Sequence, residues 1–314
     1  MNNALAKFIR LTQITLVFVY LVIIAGAVVR ASGSGMGCPD WPKCFGSWIP
    51  PTDVSQLPEN YKEIYAGEHH AVAEFNALNT WVEYINRLLG AILGFLIFSQ
   101  LIASFKFRKI NKSIVILSFI EFVLIGFQGW LGAKVVSSNL APVKITIHMV
   151  AALVILSVAL LIIHKAKQIK NSPSENNISP LLKKISIVVL LLTFIQIMLG
   201  TQVREEVDVL LKNIDIRNHI IDNLGASFKI HRTFSIAIFL LNTWFVFKIL
   251  KDNSSNILKS KAKLVFGILV LELIAGIALS YFALPAFVQP FHILLACIVY
   301  ALQFVITLRL FGKI

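Results

Sequence analysis

Eight long apolar segments dominate this sequence of 314 residues and constrain its fold more than any other feature. Each has about the 20 residues that an α-helix needs to cross the hydrocarbon core of a bilayer. Charged residues make up only 14% of the chain, against about a quarter in soluble domains. We therefore predict an all-α integral membrane protein with transmembrane helices at Leu11–Val29, Trp81–Phe105, Ile114–Val136, Ile145–Ile163, Ile185–Val203, Phe228–Leu250, Leu264–Phe282 and Phe291–Leu310.

Lysine and arginine are concentrated in alternate connections between these segments. They lie before the first segment, between the second and third, fourth and fifth, and sixth and seventh, and after the eighth. Such an excess of positive charge is typical of the cytoplasmic side of a membrane protein. We therefore expect a multi-pass protein of the cell (inner, cytoplasmic) membrane with both termini in the cytoplasm. The net charge of +13 then follows from topology, and it indicates a lipid bilayer rather than a nucleic acid as the partner.

The chain divides into two halves with the same organisation. Residues 1–170 form an N-terminal four-helix half with a long outer loop at 31–80, and residues 181–314 form a C-terminal four-helix half. The stretch 171–180, rich in Ser and Asn, reads as a polar cytoplasmic linker. Because each half has four spans and starts inside, we predict two parallel-repeat four-helix bundles.

Polar landmarks recur between the two halves at a nearly constant spacing. Gln128, Gly132 and His148 have counterparts 144 residues later, and Asn86 has one 145 residues later. These counterparts are, in the same order, Glu272, Gly276, His292 and His231. The repeat therefore relates residues of chemical interest as well as apolar segments.

Four of these residues are expected at one depth in the outer leaflet. Asn86, His148, His231 and His292 all fall in the first two turns of helices that run from outside to inside. Polar residues inside a membrane usually face the bundle interior, where cofactor sites are common. Two histidines on alternate helices can face each other across heme, a flat ligand with two axial positions. A lone membrane histidine can equally form an interhelical hydrogen bond, and zinc would require more ligands than this level supplies.

Arginines at the outer helix ends fit heme better than a bare metal ion. Heme propionates need charge-assisted partners at a wet edge. The alternative is that these long side chains extend to the membrane interface without a ligand. The arginines concerned are Arg30, Arg87, Arg204 and Arg232.

The two halves differ at the predicted sites. The C-terminal half offers His231 and His292, a complete axial pair that suits a tightly held electron-transfer heme. The N-terminal half offers His148 opposite Asn86, with Glu83 one turn earlier. An open axial position beside a carboxylate is where we expect chemistry to occur.

Several acidic residues leave two interpretations open. Glu83 and Arg87 are spaced for a structural ion pair on one helix face, or they serve the site. Glu121 and Glu272 lie within the third and seventh apolar segments. Buried carboxylates of this kind relay protons or bond to a neighbouring helix.

The cysteines agree with the predicted topology. Cys38 and Cys44 both lie in the first outer loop, where an oxidising compartment permits a disulfide. Two free thiols are the alternative, and a metal site would need further ligands. Cys297 lies inside the last segment and is expected to be a small buried apolar residue.

The chain resembles the heme A synthase family along nearly its whole length. The resemblance is carried by Ala31–Cys38 with Trp41-Pro42 and Cys44, then by Glu83-Tyr84 with Arg87, and by the membrane histidines 148, 231 and 292. Enzymes of this family oxidise the C8 methyl group of heme O to a formyl group by successive hydroxylation and loss of water.

The resemblance implies a role for each candidate residue. A heme b cofactor would be bound by His231 and His292 with Arg204 and Arg232, and substrate heme O by His148, Asn86 and Arg30. Glu83 and Arg87 would be catalytic. The outer cysteine pair matches one found in many members. The roles and partners beyond this stay open: the alternatives are a non-catalytic heme-binding assembly factor for cytochrome oxidase and a diheme quinol-linked electron-transfer protein.

One residue departs from the family pattern. Many members have His where this chain has Asn86, and a carboxamide is a poor iron ligand. Either His148 alone holds the substrate heme, or a loop residue such as His69 or His70 substitutes. The sequence has no nucleotide-binding fingerprint, so we expect a separate electron donor; heme O synthase is a candidate partner, and a homo-oligomer is an open alternative.

Overall fold

The computed structural model describes residues 2–66, 74–138, 140–170, 179–211, 220–252 and 254–312. In this part of the chain the structure is all helical and contains no β-strand. The α-helices are α1 (Asn2–Ala31), α2 (Tyr61–Ile64), α3 (Ala77–Ser104), α4 (Lys112–Ser137), α5 (Pro142–Lys170), α6 (Pro180–Leu210), α7 (Ala226–Lys251), α8 (Asn256–Tyr281) and α9 (Val288–Phe311). Short 3₁₀ turns occupy Val54–Gln56 and Phe105–Phe107.

The eight predicted spans are confirmed. Every helix except the one-turn α2 is long and apolar enough to cross a membrane. The predicted segments lie within these helices, apart from Phe105, which begins a 3₁₀ turn, and Phe282, which caps α8. Large apolar side chains are exposed along the helices; Phe95, for example, is 74% exposed. Such a surface suits contact with lipid rather than water.

Polar capping residues set where several helices begin. The side chain of Asn76 accepts the backbone N–H of Asn79 at 3.1 Å at the start of α3. Asn111 accepts the N–H of Ser113 at 3.0 Å at the start of α4. Pro180 occupies the first turn of α6, where its missing N–H costs nothing. The helix starts are therefore fixed locally.

The helices form two compact units, Met1–Ile163 and His164–Ile314. In the first unit α3 packs against α1 and α4. In the second unit α6 packs on α7 and α9, and α8 packs on the same two helices, which closes a four-helix ring. The predicted linker 171–180 stays a prediction, because residues 171–178 lie outside the described part.

Each unit holds a buried pair of polar side chains that joins two of its helices. In the first unit Gln100 of α3 donates to Glu121 of α4 at 2.5 Å between Nε2 and Oε2. In the second unit Gln303 of α9 donates to Asn242 of α7 at 2.7 Å. Of the two interpretations of Glu121, the bond to a neighbouring helix is therefore the one observed.

The outer loop of the first unit has a small core of its own. Cys38 and Cys44 are fully buried, and their sulfur atoms are 1.98 Å apart. Phe45 follows and makes edge-to-face contacts with three aromatic rings, an arrangement that aromatic side chains favour. The rings belong to Tyr61, Tyr65 and Phe75. The loop is thus a packed element over the outer end of α3.

Candidate functional site

Two imidazole rings face each other in the second unit. His231 lies in the second turn of α7 and His292 in the second turn of α9. Their ring centroids are 6.5 Å apart, and the ring planes are inclined by 79°. The predicted pair is therefore brought together.

A glycine on the preceding helix lies behind each ring. A Cβ atom on Gly200 of α6 would lie 3.2 Å from Cε1 of His231, and one on Gly276 of α8 would lie 3.5 Å from Cε1 of His292. The 3.2 Å contact is tight enough that a methyl group on Gly200 would press on the ring, whereas 3.5 Å is an ordinary van der Waals contact. Each ring therefore packs directly on a helix backbone.

A polar side chain one turn before each glycine contacts the same histidine. Gln196 donates through Nε2 to the carbonyl oxygen of His231 at 3.0 Å. Oε1 of Glu272 lies 3.1 Å from Nδ1 of His292, although the two atoms are not aligned as a hydrogen bond. Glu272 is thus a neighbour of the candidate site, a contact that its match to Gln128 in the repeat could have indicated.

The first unit has a similar construction, with Asn86 in the place of His231, Gln128 in the place of Glu272 and Val22 in the place of Gln196. His148 of α5 has Gly132 of α4 behind its ring, with Cε1 3.7 Å from a Cβ placed there. Gln128 donates to the carbonyl oxygen of His148 at 3.0 Å. Asn86 of α3 packs in the same way on Gly26 of α1: its Oδ1 lies 3.8 Å from a Cβ placed on that glycine. We call Asn86, His148, His231 and His292 the four glycine-backed positions.

Buried polar atoms at these positions have no hydrogen-bond partner within the described residues. They are Nδ1 of the three histidines and Oδ1 of Asn86. Buried polar groups are rarely left unpaired unless a ligand, ion or water serves them. His148, His231 and Asn86 thus keep unused polar capacity for a ligand or water, whereas Nδ1 of His292 already lies beside Glu272.

The histidine pair of the second unit fits heme. Two imidazoles that bind one metal ion from opposite sides, each at about 2 Å, place their ring centres roughly 6 Å apart, close to the 6.5 Å found for His231 and His292. The part of the chain that the structure describes has no group of three or more His, Cys, Asp or Glu side chains that could hold a metal ion. Two axial nitrogens suit a heme iron, whose remaining ligands belong to the porphyrin.

One protein-family model matches almost the whole chain. The model of COX15-CtaA, described as cytochrome oxidase assembly protein, matches residues 9–304. This chain belongs to the COX15-CtaA family.

Curated relatives of this COX15-CtaA protein carry one name. A heme A synthase of Shewanella oneidensis is 33% identical over 60% of this chain and 54% of its own length. One of Bartonella tribocorum is 22% identical over 88% of this chain and 85% of its own, and one of Rhizorhabdus wittichii is 28% identical over 63% and 59%. The matched stretch thus spans little more than half of two of these relatives, and the resemblance found in the sequence is confirmed.

Glu83 and Arg87 are engaged with the outer loop. Oε2 of Glu83 accepts the N–H of Cys38 at 3.0 Å, and Oε1 accepts Nη2 of Arg87 at 2.5 Å. Arg87 donates in addition to the carbonyl oxygens of Asp40 at 2.6 Å, Lys43 at 2.9 Å and Cys38 at 3.1 Å. We call this set of contacts the loop clamp. The structural ion pair left open by the sequence is observed, and it grips the segment that contains the paired cysteines.

The corresponding arginine of the second unit has a different partner. Arg232 lies over the ring of Phe228 with its Cζ atom 5.5 Å from the centroid, the distance of a cation–π contact. Phe228 stands where Glu83 stands in the first unit. The same one-turn spacing therefore gives an ion pair in one unit and an aromatic contact in the other.

The remaining predicted residues are placed as follows. Arg204 pairs with Asp208 at 2.7 Å and donates to Gln289 at 2.6 Å, which ties the outer end of α6 to α9. Arg30 ends α1 and is partly buried. His69 and His70 lie outside the described residues.

The glycines and the loop clamp are what sequence reasoning missed. Gly132 and Gly276 were visible as repeat landmarks, and their spacing of 144 residues was a usable signal, whereas Gly26 and Gly200 are 174 residues apart. The clamp involves backbone carbonyl oxygens, which any residue type supplies, so no residue pattern could have indicated it.

Proposed function

We propose that this protein is a heme A synthase that oxidises the C8 methyl group of heme O to a formyl group by successive hydroxylation, using a bound heme b. The curated relatives, which are named heme A synthase, support the reaction. The observation that carries the heme is the facing pair His231 and His292, with ring centroids 6.5 Å apart.

The resident heme b would be held in the second unit. His231 and His292 would supply its axial ligands, and iron between two imidazoles supplies one-electron transfer. Gln196 fixes the backbone of His231, while Glu272 lies beside Nδ1 of His292 and would accept its proton. Such outer partners orient the ring and tune its basicity. Arg232, which lies over Phe228, would be a cation for a propionate at the outer edge, and Arg204 would have to share its charge with Asp208 and Gln289.

The substrate heme O would be held in the first unit. His148 offers one axial nitrogen, Asn86 lies on the matching glycine-backed position, and Arg30 ends the neighbouring helix. Each hydroxylation of the methyl group is a two-electron oxidation, and the resulting diol loses water to give the formyl group. With dioxygen as the oxidant, each hydroxylation would take two electrons and two protons by way of a separate electron donor and release the second oxygen atom as water; heme O synthase is the candidate supplier of substrate.

Glu83 and Arg87 would act on this substrate through the loop clamp. Both oxygens of the Glu83 carboxylate are engaged by Cys38 and Arg87, so the contacts favour a positioning role over direct proton transfer. The clamp would keep the loop closed over the outer end of α3 and exclude water from the porphyrin edge. Loss of either side chain would then impair turnover without removing heme b.

The topology that fits this function has the loop outside the cell membrane and both termini in the cytoplasm. The positive charges of the inner connections support that orientation. An oxidising outer compartment would keep Cys38 and Cys44 as a disulfide.

Extraction of hemes from a host that makes heme O tests the proposal. The full chain is expressed with a heme O source, and acid-extracted hemes are separated by chromatography. We expect hydroxylated and formyl hemes beyond the level of the host alone. A matched control is His164→Ala, because His164 bonds to Gln168 at the other end of its helix and its change should leave the products intact.

Two results would overturn the proposal. Purified protein that binds heme b while heme O remains unaltered would indicate a heme carrier or assembly factor. Two quinol-reducible hemes without any oxidised heme O would indicate an electron-transfer protein.

In the same assay Glu83→Gln is expected to abolish formyl-heme formation and retain heme b.

A further inference from the structure

Three of the four glycine-backed positions carry an imidazole, and the fourth carries a carboxamide. We propose that Asn86 leaves one axial face of the heme in the first unit open, and that its carboxamide donates a hydrogen bond to a small diatomic ligand on that face. This inference rests on the proposed function, because it concerns the heme that we assign to His148. It goes beyond that function by naming the ligand class and the residue that contacts it.

The first step is that Asn86 occupies the place of an axial histidine. Its Oδ1 lies 3.8 Å from a Cβ placed on Gly26, just as Cε1 of His231 lies 3.2 Å from one on Gly200. Gly26 and Gly200 both lie near the outer end of the first helix of their unit. The side chain of Asn86 is therefore directed like the imidazole that faces His292 in the second unit.

The second step is that Asn86 does not replace that imidazole as a ligand. A carboxamide presents an oxygen or an NH₂ group, whereas iron in such sites prefers an imidazole nitrogen. The side chain of Asn is also shorter than that of His, so it ends short of the place where Nε2 would bind. A gap thus remains between the carboxamide and the iron position.

The space beside Asn86 suits a ligand that accepts a hydrogen bond. Oδ1 of Asn86 is turned toward Gly26, and Nδ2 lies farther from it, beyond 4 Å. The amide N–H groups are donors, and distal donors of this kind decide whether a heme binds diatomic ligands. The nearest charged side chains on α3, Glu83 and Arg87, are both committed to the loop clamp. The carboxamide is therefore the donor available on this face.

The second unit provides the contrast. There His231 and His292 face each other at 6.5 Å, so a heme between them has no free axial position. One protein would then contain one closed and one open heme. This pairing suits an enzyme that must bring an oxidant of the dioxygen class to one heme and electrons to the other.

Carbon monoxide is the probe that tests the inference. The full-length protein, purified with heme b and loaded with heme O, is reduced with dithionite and exposed to carbon monoxide. We expect a high-spin electron paramagnetic resonance signal from one heme in the oxidised protein. After reduction, one of the two hemes should bind carbon monoxide, and His148→Ala should remove that fraction.

Two substitutions of Asn86 separate the two halves of the proposal. Asn86→His should convert the high-spin heme into a low-spin one and abolish carbon monoxide binding. Asn86→Leu should retain binding but raise the C–O stretching frequency, because the hydrogen bond is lost. Since such a bond contributes about 1 kcal/mol, we expect carbon monoxide to dissociate roughly five- to tenfold faster.

The matched control exchanges the same residues in the second unit. His231→Asn should open the other heme, so that both hemes bind carbon monoxide. This variant keeps the test informative if Asn86→His fails to fold, since it asks whether asparagine on a glycine-backed position opens a heme.

The overturning results are distinct from failure of the proposed function. Wild-type protein that carries both hemes but shows only low-spin iron would refute the open face, and would direct attention to a loop ligand such as His69 or His70. An unchanged C–O stretch in Asn86→Leu would refute the hydrogen bond. Formation of heme A with no open heme would defeat this inference alone, whereas an open heme without any product would defeat the function alone.

Discussion

The two units share one arrangement of helices and glycines but differ in the side chains at the glycine-backed positions. In both, an outer-leaflet side chain packs on a glycine of the preceding helix, and a glutamine or glutamate one turn before that glycine holds the histidine. The second unit completes the arrangement with two imidazoles, while the first has one imidazole and a carboxamide. We propose that this difference, an asparagine in the place of a histidine on a shared backbone arrangement, makes one heme position accessible while the other is closed.

The arginine that follows each of these positions shows a second divergence. Arg87 is 13% exposed and holds the outer loop through Glu83 and three carbonyl oxygens. Arg232 instead lies exposed over Phe228. In the first unit the arginine thus holds the outer loop, whereas in the second unit the arginine lies exposed beside an aromatic ring.

The largest effect is expected from removal of an axial imidazole in the second unit. His231→Ala or His292→Ala should abolish the low-spin heme spectrum of the purified protein, because iron would lose one of only two protein ligands. The absorption of the reduced protein and its heme content after pyridine extraction measure this. His164→Ala is the control, and a low-spin spectrum that persists in His231→Ala would contradict the pair.

The two arginines should differ in their contribution to stability. Arg87→Ala leaves the buried Glu83 carboxylate unpaired, and breaking a buried ion pair costs about 3–5 kcal/mol. Arg232→Ala loses an exposed cation–π contact worth about 0.5–1 kcal/mol. Thermal unfolding in detergent and limited proteolysis of the loop at residues 38–47 compare the two.

Equal effects of these two substitutions would show that the loop clamp is not what stabilises the first unit. Arg87→Lys provides a further check, because lysine keeps the charge but cannot donate to several carbonyl oxygens in a fixed geometry. It should behave more like Arg87→Ala than like the wild type.

A graded effect is expected from the glycines behind the rings. Gly200→Ala places a methyl group 3.2 Å from the His231 ring, and overpacking of this kind costs about 1–3 kcal/mol, so we expect heme to dissociate roughly tenfold faster. Gly276→Ala, at 3.5 Å, should have a smaller effect. Transfer of heme to apomyoglobin measures the rates.

Gly267→Ala is the matched control for the glycine series. It lies on the same helix as Gly276, but nothing lies within 4 Å of its Cβ position. Heme should dissociate from it at the wild-type rate, and an accelerated loss would mean that the series reports helix packing rather than contact with the ring.

The smallest effect is expected from the two glutamines. Gln196→Leu and Gln128→Leu each remove one hydrogen bond to a histidine carbonyl, and interhelical bonds in membranes contribute about 0.6 kcal/mol on average. The heme content should be retained, with a slightly lower temperature of heme loss. Similar small shifts in both variants would support equivalence of the two units, whereas a large shift in only one would sharpen their difference.

The membrane spans were predictable because hydrophobic length alone specifies them. The shared depth of Asn86, His148, His231 and His292 in the outer leaflet stays a prediction from direction and spacing. The facing of His231 and His292 followed from the repeat, and it is observed at 6.5 Å. These features depend on regular helices, whose geometry the sequence encodes directly.

What could not be predicted depends on irregular backbone. The contacts of Arg87 with the carbonyl oxygens of Asp40 and Lys43 exist only because the loop folds back over α3. The contact between Glu272 and His292 could have been predicted from the repeat, because Glu272 matches Gln128, but no contact was assigned to Glu272 from the sequence. The roles of these residues in turnover stay predictions.

The way in which Arg87 holds the outer loop has a practical consequence for anyone labelling this protein. The guanidinium grips main-chain oxygens of residues 38, 40 and 43, so it is indifferent to the side chain at position 43. The exposed Lys43 side chain contacts the ring of Trp48, with Nζ 5.8 Å from the centroid, so a fluorescent dye attached there would replace that contact but leave the main-chain contacts of Arg87 in place. Quenching of such a dye by a bound porphyrin would report heme binding and release in real time.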